Sequence, residues 1–246
     1  MGHVLGIDIG GTGMKAALVD TATGEFVKEK IKYGTPQPSN PKNMAQVLNQ
    51  LIDDFDMRGT TIGCGFPAIV KNDICKSAAN IDKEWLGVNL VEYFKNETGC
   101  NSVFMNDADA AGLAELKFGA GRDKMGTVIM ITLGTGIGSG IFVDGKLVPN
   151  SEFGHLLYKK SIFEHYASNG ARKKKELSWK EWGKELNTYF QHVELLMSPN
   201  LFILGGGVSK HYENYKKYID IEAPIVPAQL LNNAGIVGAA MYTLEK

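Results

Sequence analysis

Residues 4–20 read VLGIDIGGTGMKAALVD, and residues 128–148 read VIMITLGTGIGSGIFVDGKLV. In the first stretch an apolar run over 4–9 carries Asp8, breaks at Gly10-Gly11-Thr12-Gly13 and resumes over 14–20. Apolar runs bounded by glycine predict a strand, a turn and a second strand. A further turn at Asp20-Thr21-Ala22-Thr23-Gly24-Glu25 leads to a third strand expected from Phe26. The mid-chain stretch repeats this grammar. An apolar run over 128–133 meets a glycine turn over 134–140, then Ile141-Phe142-Val143, the turn Asp144-Gly145 and a third strand from Lys146. An internal repeat of a strand-turn-strand-turn-strand unit predicts two similar lobes.

Around these units the chain alternates strands with helices. Met44, Val47, Leu48, Leu51, Ile52 and Phe55 fall at helical spacing. Strands are expected over 62–66, 103–105 and 201–204, the last running into Gly205-Gly206-Gly207. Helices are expected over 85–98, over the alanine-rich 107–118 and over a closing segment at 229–244. Such alternation places the chain in the α/β class.

Composition narrows the function classes. With 26 Lys+Arg against 27 Asp+Glu, the net charge of -1 gives no bulk attraction to nucleic acid or to an anionic membrane, and neither partner is expected. The first residues lack the basic and apolar regions of a leader, and no apolar run approaches the ~20 residues of a membrane span. A cytoplasmic location is expected. Cys64, Cys75 and Cys100 are widely spaced and form no metal pattern, so reduced thiols are expected. Glycine is the outlier, 29 of 246 residues, against an average of about 7%. Its clustering points to backbone that approaches a ligand.

Three glycine motifs compete for a phosphate. The P-loop pattern is absent, because Lys15 is neither preceded by glycine nor followed by Ser or Thr. Gly11-Thr12-Gly13-Met14-Lys15-Ala16 fits a relaxed dinucleotide fingerprint, but that fingerprint must open a helix, and the chain turns again within a few residues. A hairpin whose turn lends N–H groups to phosphate remains. Asp8 is placed to hold Mg²⁺ directly or through water, with Thr12 and Lys15 as added donors. In Asn106-Asp107-Ala108-Asp109, the residues after a buried strand either cap a helix or supply Asp107 as a base for a substrate hydroxyl. Glu152-Phe153-Gly154-His155 offers a carboxylate and an imidazole for vicinal sugar hydroxyls, or simply a satisfied histidine. No cysteines flank His155, which argues against zinc.

Six ordered motifs resemble the ROK group (repressors, open reading frames and kinases) of the actin-like sugar kinases. They are Leu5-Gly6-Ile7-Asp8-Ile9-Gly10-Gly11-Thr12, Ala79-Asn80-Ile81-Asp82-Lys83-Glu84-Trp85, Asn106-Asp107-Ala108-Asp109-Ala110-Ala111, Leu133-Gly134-Thr135-Gly136-Ile137-Gly138, Glu152-Phe153-Gly154-His155 and Leu204-Gly205-Gly206-Gly207-Val208-Ser209. Within the group the chain is most similar to the polyphosphate glucokinases, on stretches such as Thr35-Pro36-Gln37-Pro38 and Pro149-Asn150-Ser151-Glu152.

The resemblance implies an actin-like ATPase fold, a duplicated ribonuclease H-like α/β fold of two lobes with an interlobe cleft. The smaller lobe would span 1–107, with the helix at 229–246 packed back on it, and the larger lobe 108–228. The implied reaction is transfer of a phosphoryl group from inorganic polyphosphate, with ATP left open as a second donor, to the 6-hydroxyl of glucose. The alternatives are an ATP-dependent hexose or N-acylhexosamine kinase and a non-catalytic sugar sensor. Sensors of the group carry a helix-turn-helix before a first strand that here starts at about Val4, so catalysis is expected.

The resemblance makes Asp107 the catalytic base and Asn80, Asn106, Asp107, Glu152, His155 and Glu164 the sugar ligands. Asp8, Gly10, Gly11, Thr12 and Lys15 would surround the donor phosphate and Mg²⁺. Gly134, Thr135 and Gly136 would form a second phosphate clamp, and Gly205, Gly206 and Gly207 would flank an adenosine or the outer end of a polyphosphate. A homodimer is expected on the same ground. Two departures stand out. The cysteine-rich zinc loop of many members is missing, so no zinc is expected, and Ala68 stands where glycine is common. The run Arg172-Lys173-Lys174-Lys175 is either a solvated loop or a guide for a long polyanion.

Overall fold

In the computed structural model, residues 2–79 and 81–246 are described. They fall into two compact units, Met1–Ala114 with Asn233–Lys246, and Glu115–Asn232.

The first unit is built on a five-stranded sheet. Its elements are β1 (His3–Ile9), β2 (Gly13–Asp20), β3 (Ile31–Gly34), α1 (Pro41–Asp54), β4 (Thr61–Phe66), the two-residue strands β5 (Val70–Lys71) and β6 (Ile74–Cys75), α2 (Leu90–Thr98), β7 (Asn101–Asn106) and the first two turns of α3 (Asp107–Phe118). The strand order is β3-β2-β1-β4-β7, with β1, β2 and β3 antiparallel and β1, β4 and β7 parallel.

The second unit repeats that order as β10-β9-β8-β13-β14. Its strands are β8 (Thr127–Leu133), β9 (Ile137–Val143), β10 (Lys146–Val148), the hairpin β11 (Leu157–Tyr158) and β12 (Ser161–Ile162), β13 (Leu201–Gly205) and β14 (Ile225–Pro227). Its helices are the short α4 (Glu164–Ala167) and α5 (Asn169–Lys174) and the long α6 (Trp179–Met197). Three antiparallel strands followed by two parallel ones, made twice, is the duplicated topology expected of an actin-like fold. The chain then returns to the first unit as α7 (Ala234–Tyr242).

Strand alternation decides which residues each face of the first sheet buries. Leu5, Ile7 and Ile9 of β1 and Ile62, Cys64 and Phe66 of β4 join Leu48, Leu51 and Ile52 of α1 and Phe94 of α2 in one core. Trp85 stacks on Phe94 with centroids 5.5 Å apart and donates its indole N–H to the Ser39 carbonyl at 2.9 Å, so its one polar atom is satisfied.

The opposite face is floored with glycine. Gly6 and Gly63 stand directly across from one another, and a Cβ on either would overlap the α7 backbone at Ile236 or Ala239. A Cβ on Gly238 of α7 would in turn overlap the Ala110 carbonyl of α3. Helix α7, sequence AGIVGAAMY, is therefore seated backbone against backbone.

All three cysteines are free and buried. Burial pushes the Cys64 and Cys75 thiols above the ordinary value, which suits inert core residues.

Several boundaries differ from expectation. Phe26 bridges Val19 and Val27 N–H donates to Leu18 O at 2.8 Å, but the third strand starts only at Ile31, beyond the exposed residues 28–30. The helix expected over 85–98 is a 3₁₀ turn at Lys83–Trp85 followed by α2, since Gly87 takes a positive φ of 84° and the Asn89 side chain caps Glu92 N. The closing helix starts at Ala234 rather than 229. The buried Glu115 carboxylate takes the N–H groups of Gln229 and Leu230 at 3.1 and 2.7 Å, and Leu231 turns to φ 51°.

The break expected at 107/108 falls instead after Ala114, because the first turns of α3 pack on α7. The second glycine turn is three residues long, not seven, since Leu133 already pairs with Ile137. Among the described residues, no helix is long and apolar enough to cross a membrane.

Candidate active site

In each unit the glycine-rich segments sit at the carboxyl ends of the parallel strands, where ligands gather in open α/β sheets. Asp8 is one residue from the end of β1, and Lys15 lies directly across from it on β2. That register brings the ammonium to 2.9 Å from Asp8 Oδ2. The turn between the strands closes with Gly10 N–H donating to Gly13 O at 3.0 Å. Gly11 and Thr12 are exposed at its tip. Sequence reading missed the brace of this turn, Thr35, whose hydroxyl donates to the Gly10 carbonyl and whose N–H donates to Thr12 O.

Asn106 and Asp107 occupy the end of β7, two strands from β1, a separation of about 10 Å at the usual strand spacing. The sequence left open whether these residues cap α3 or do chemistry. Asn106 caps: its Oδ1 accepts from Ala108 N at 2.8 Å and Asp109 N at 3.2 Å, while its amide donates to Ala68 O at 3.3 Å. Asp107 Oδ1 accepts the Ala108 N–H at 2.8 Å, and the side chain is half-buried.

Two glycines that the sequence did not single out make room here. Gly65 lies beside the Asp107 Cα, and a Cβ on Gly235 of α7 would come to 2.9 Å from the Asp8 carboxylate. Asn80 lies outside the described residues.

In the second unit, Gly134 N–H closes the turn on Gly136 O at 3.0 Å, and Thr135 is exposed at its tip. Glu152, His155 and Glu164 gather beside this turn. Ser139 of β9 receives Phe153 N–H on its hydroxyl at 2.9 Å and donates to Ser151 O at 2.9 Å, which ties the 151–155 segment to the strand. Gly154 is pressed so close to the Ile137 carbonyl that no Cβ would fit. His155 Nδ1 lies 3.1 Å from Glu152 Oε2.

Glu164 Oε2 accepts the Ile137 N–H at 2.8 Å. Burial raises the Glu152 pKa above the ordinary carboxylate value. His155 opposes that shift, and the Glu164 charge adds to it. Gly206, at φ 82° after β13, packs against the Leu133 backbone, while Gly205 is buried and Gly207 is exposed with open space around it.

The basic run is less uniform than its sequence. Arg172 stacks 4.1 Å above Trp179 and bonds Asn169, and Lys175 donates to His165 O at 2.7 Å. Lys173 and Lys174 are exposed.

Comparison with known proteins agrees with this layout. A polyphosphate glucokinase of Mycobacterium tuberculosis (strain CDC 1551 / Oshkosh) is 40% identical over 243 residues, 98% of this chain and 91% of that protein. The crystal structure of an inorganic polyphosphate/ATP-glucomannokinase from Arthrobacter sp. strain KM matches with a TM-score of 0.96 at 44% identity, covering 100% of both chains. A ROK family glucokinase from Streptomyces griseus, solved with glucose and AMPPNP, shares the fold with a TM-score of 0.85 at 24% identity and full coverage of both chains. The ROK family model matches residues 4–165, and the chain belongs to the ROK family.

Proposed function

We propose that the chain is a glucokinase that moves the terminal phosphoryl group of inorganic polyphosphate, with ATP as a second donor, to the 6-hydroxyl of glucose. The observation that carries the chemistry is the division of labour at the end of β7. Asn106 caps α3, and Asp107, the next residue, carries the half-buried carboxylate that this reading assigns as the base. The donor and the sugar follow from the two near-full-length relatives. A cytoplasmic location and a homodimer are kept as parts of this proposal.

In this reading Asp107 takes the proton of the glucose 6-hydroxyl as its oxygen attacks the terminal phosphorus, and the donor leaves one phosphate shorter. Gly10, Gly11, Thr12 and Lys15 are assigned as donors to phosphate oxygens, and Gly134, Thr135 and Gly136 are assigned the same role. Gly205, Gly206 and Gly207 flank the outer part of the donor. Asn80, Asn106, Glu152, His155 and Glu164 hold sugar hydroxyls.

Magnesium is bound by one or two carboxylates together with substrate phosphates. The donor set at Asp8 fits this, as a single carboxylate whose flank Gly235 keeps clear of any Cβ. A Mg²⁺ ion held there would neutralise charge on the donor. The deciding assay measures glucose 6-phosphate formed from glucose and Mg²⁺ with polyphosphate or ATP, and mannose in place of glucose. No product with polyphosphate would remove the donor assignment.

Glu152 gives this reading a pH signature. Sugar hydroxyls donate to the ionised carboxylate, so a proton on Glu152 competes with sugar. Because its pKa is raised, the competition sets in at a higher pH than for an ordinary glutamate. The glucose KM is expected to climb as pH falls through that raised pKa. E152Q should bind sugar weakly at every pH, with no acid limb in its KM profile.

Lys173 and Lys174 carry the polyanion-guiding role proposed for the basic run. Neutralising both to Gln is expected to flatten the salt dependence of the polyphosphate KM and to leave that of ATP nearly unchanged. An unaltered slope would end that idea.

A further inference from the structure

The second glycine turn is gripped from two sides by one short segment. Residues 134–136 connect β8 to β9, and the turn exposes two outward backbone groups, Gly134 C=O and Ile137 N–H. Gly170 N–H donates to Gly134 O at 2.9 Å, and Glu164 Oε2 receives Ile137 N–H at 2.8 Å. Glu164 opens α4 and Gly170 lies in the first turn of α5. Ser168, between them, donates its N–H to Glu164 O and caps α5 by accepting from Ala171 N. The packing leaves no slack. A Cβ on Gly136 would overlap the Glu164 carboxylate, and a Cβ on Gly170 would overlap the Thr135 carbonyl. Gly136 of the turn and Gly170 of α5 are therefore needed for this close approach, whereas a Cβ on Gly134 would meet nothing within 4 Å.

We infer that Glu164 is a positioning residue shared by the two substrates: its Oε2 fixes the glycine turn that receives donor phosphate, and its Oε1 is left for the sugar. The inference rests on the kinase reading above and extends it. Among the described residues Oε1 accepts no hydrogen bond, and the carboxylate is near enough to Glu152 for the two charges to interact. A charge-assisted hydrogen bond to a backbone N–H is stronger than a neutral one, so it holds the turn in one conformation before the donor arrives. One side chain then orders both the donor turn and the sugar.

The test compares E164Q and E164A in the intact protein. It reads hydrogen exchange of the Ile137 amide without ligand, and the affinity for AMPPNP and for tripolyphosphate, each without sugar, by calorimetry. Glutamine keeps an oxygen for Ile137 N–H, whereas alanine removes it. For E164A we expect Ile137 exchange to quicken and sugar-free donor affinity to fall about tenfold, the size of one lost charge-assisted bond. For E164Q we expect exchange and donor affinity within about twofold of native, with glucose affinity reduced. A residue that served the sugar alone would leave donor binding untouched in both variants. Native donor affinity in E164A, or unchanged Ile137 exchange, therefore overturns the inference. Should E164A fail to fold, E164D withdraws the carboxylate by one methylene with the charge kept, and must show the same donor loss. If the native protein binds neither donor, the kinase reading is what falls, and the exchange of Ile137 still decides the clamp.

Discussion

Replacing Asp107 by asparagine is expected to lower the turnover of glucose phosphorylation by about 10²–10⁴-fold, the usual worth of a positioned general base. The substitution keeps the shape of the side chain and an oxygen that can accept Ala108 N–H, as Asp107 Oδ1 does at 2.8 Å. It removes the capacity to take a proton at neutral pH. The helix should be indifferent, because Asn106 holds both first-turn amides. D107N should therefore keep its melting temperature to within a few degrees and bind glucose within a few-fold of native. The neighbouring N106A should behave differently, losing the cap, worth about 1 kcal/mol, and also the tether to Ala68 O. Turnover of D107N within a few-fold of native would mean that Asp107 is not the base.

Substitution of Gly63 by alanine carries the largest expected effect on stability. Its Cβ would meet the Ala239 carbonyl of α7, and that obstacle is backbone, so no side-chain rotation relieves it. Overpacking of this kind costs about 1–3 kcal/mol and at times more. We expect about 3 kcal/mol, or ~6–12 °C in melting temperature for a chain of this size. Gly238→Ala is an instructive companion. Alanine in a helix interior is worth about 1 kcal/mol over glycine, but here the new methyl would strike the Ala110 carbonyl. The clash outweighs the propensity, and a net loss of roughly 2 kcal/mol follows. G63A pushes α7 off the sheet and G238A pushes it off α3, and Gly235 of α7 flanks Asp8, so activity should fall by more than the loss of folded protein explains. Thermal and urea unfolding measure the first effect, and activity per folded molecule measures the second. A melting temperature at or above native for G63A would show that α7 is not seated on a glycine floor.

Much of this architecture was legible along the chain. The repeat of apolar run, glycine turn and apolar run gave the two hairpin units, because strand alternation and turn chemistry act between residues close in sequence. The same local signals placed Asp8 and Asp107 at strand ends. They failed where a distant group intervened. Residues 229 and 230 read as helix, but their N–H groups go to Glu115. Residues 138–140 read as a turn, yet they lie in β9, paired with β8.

The repeated strand-turn-strand unit and the two glycine turns thus belong to the sequence itself, and the candidate base to its family resemblance. Three matters were decided only in the folded chain. Asn106, not Asp107, carries the cap; Gly6, Gly63 and Gly238 serve the seat of α7; and Glu164 grips Ile137 across 27 residues. Each depends on which remote backbone comes within hydrogen-bond or van der Waals range. Short-range patterning does not encode that distance, because it is set by the packing of whole elements.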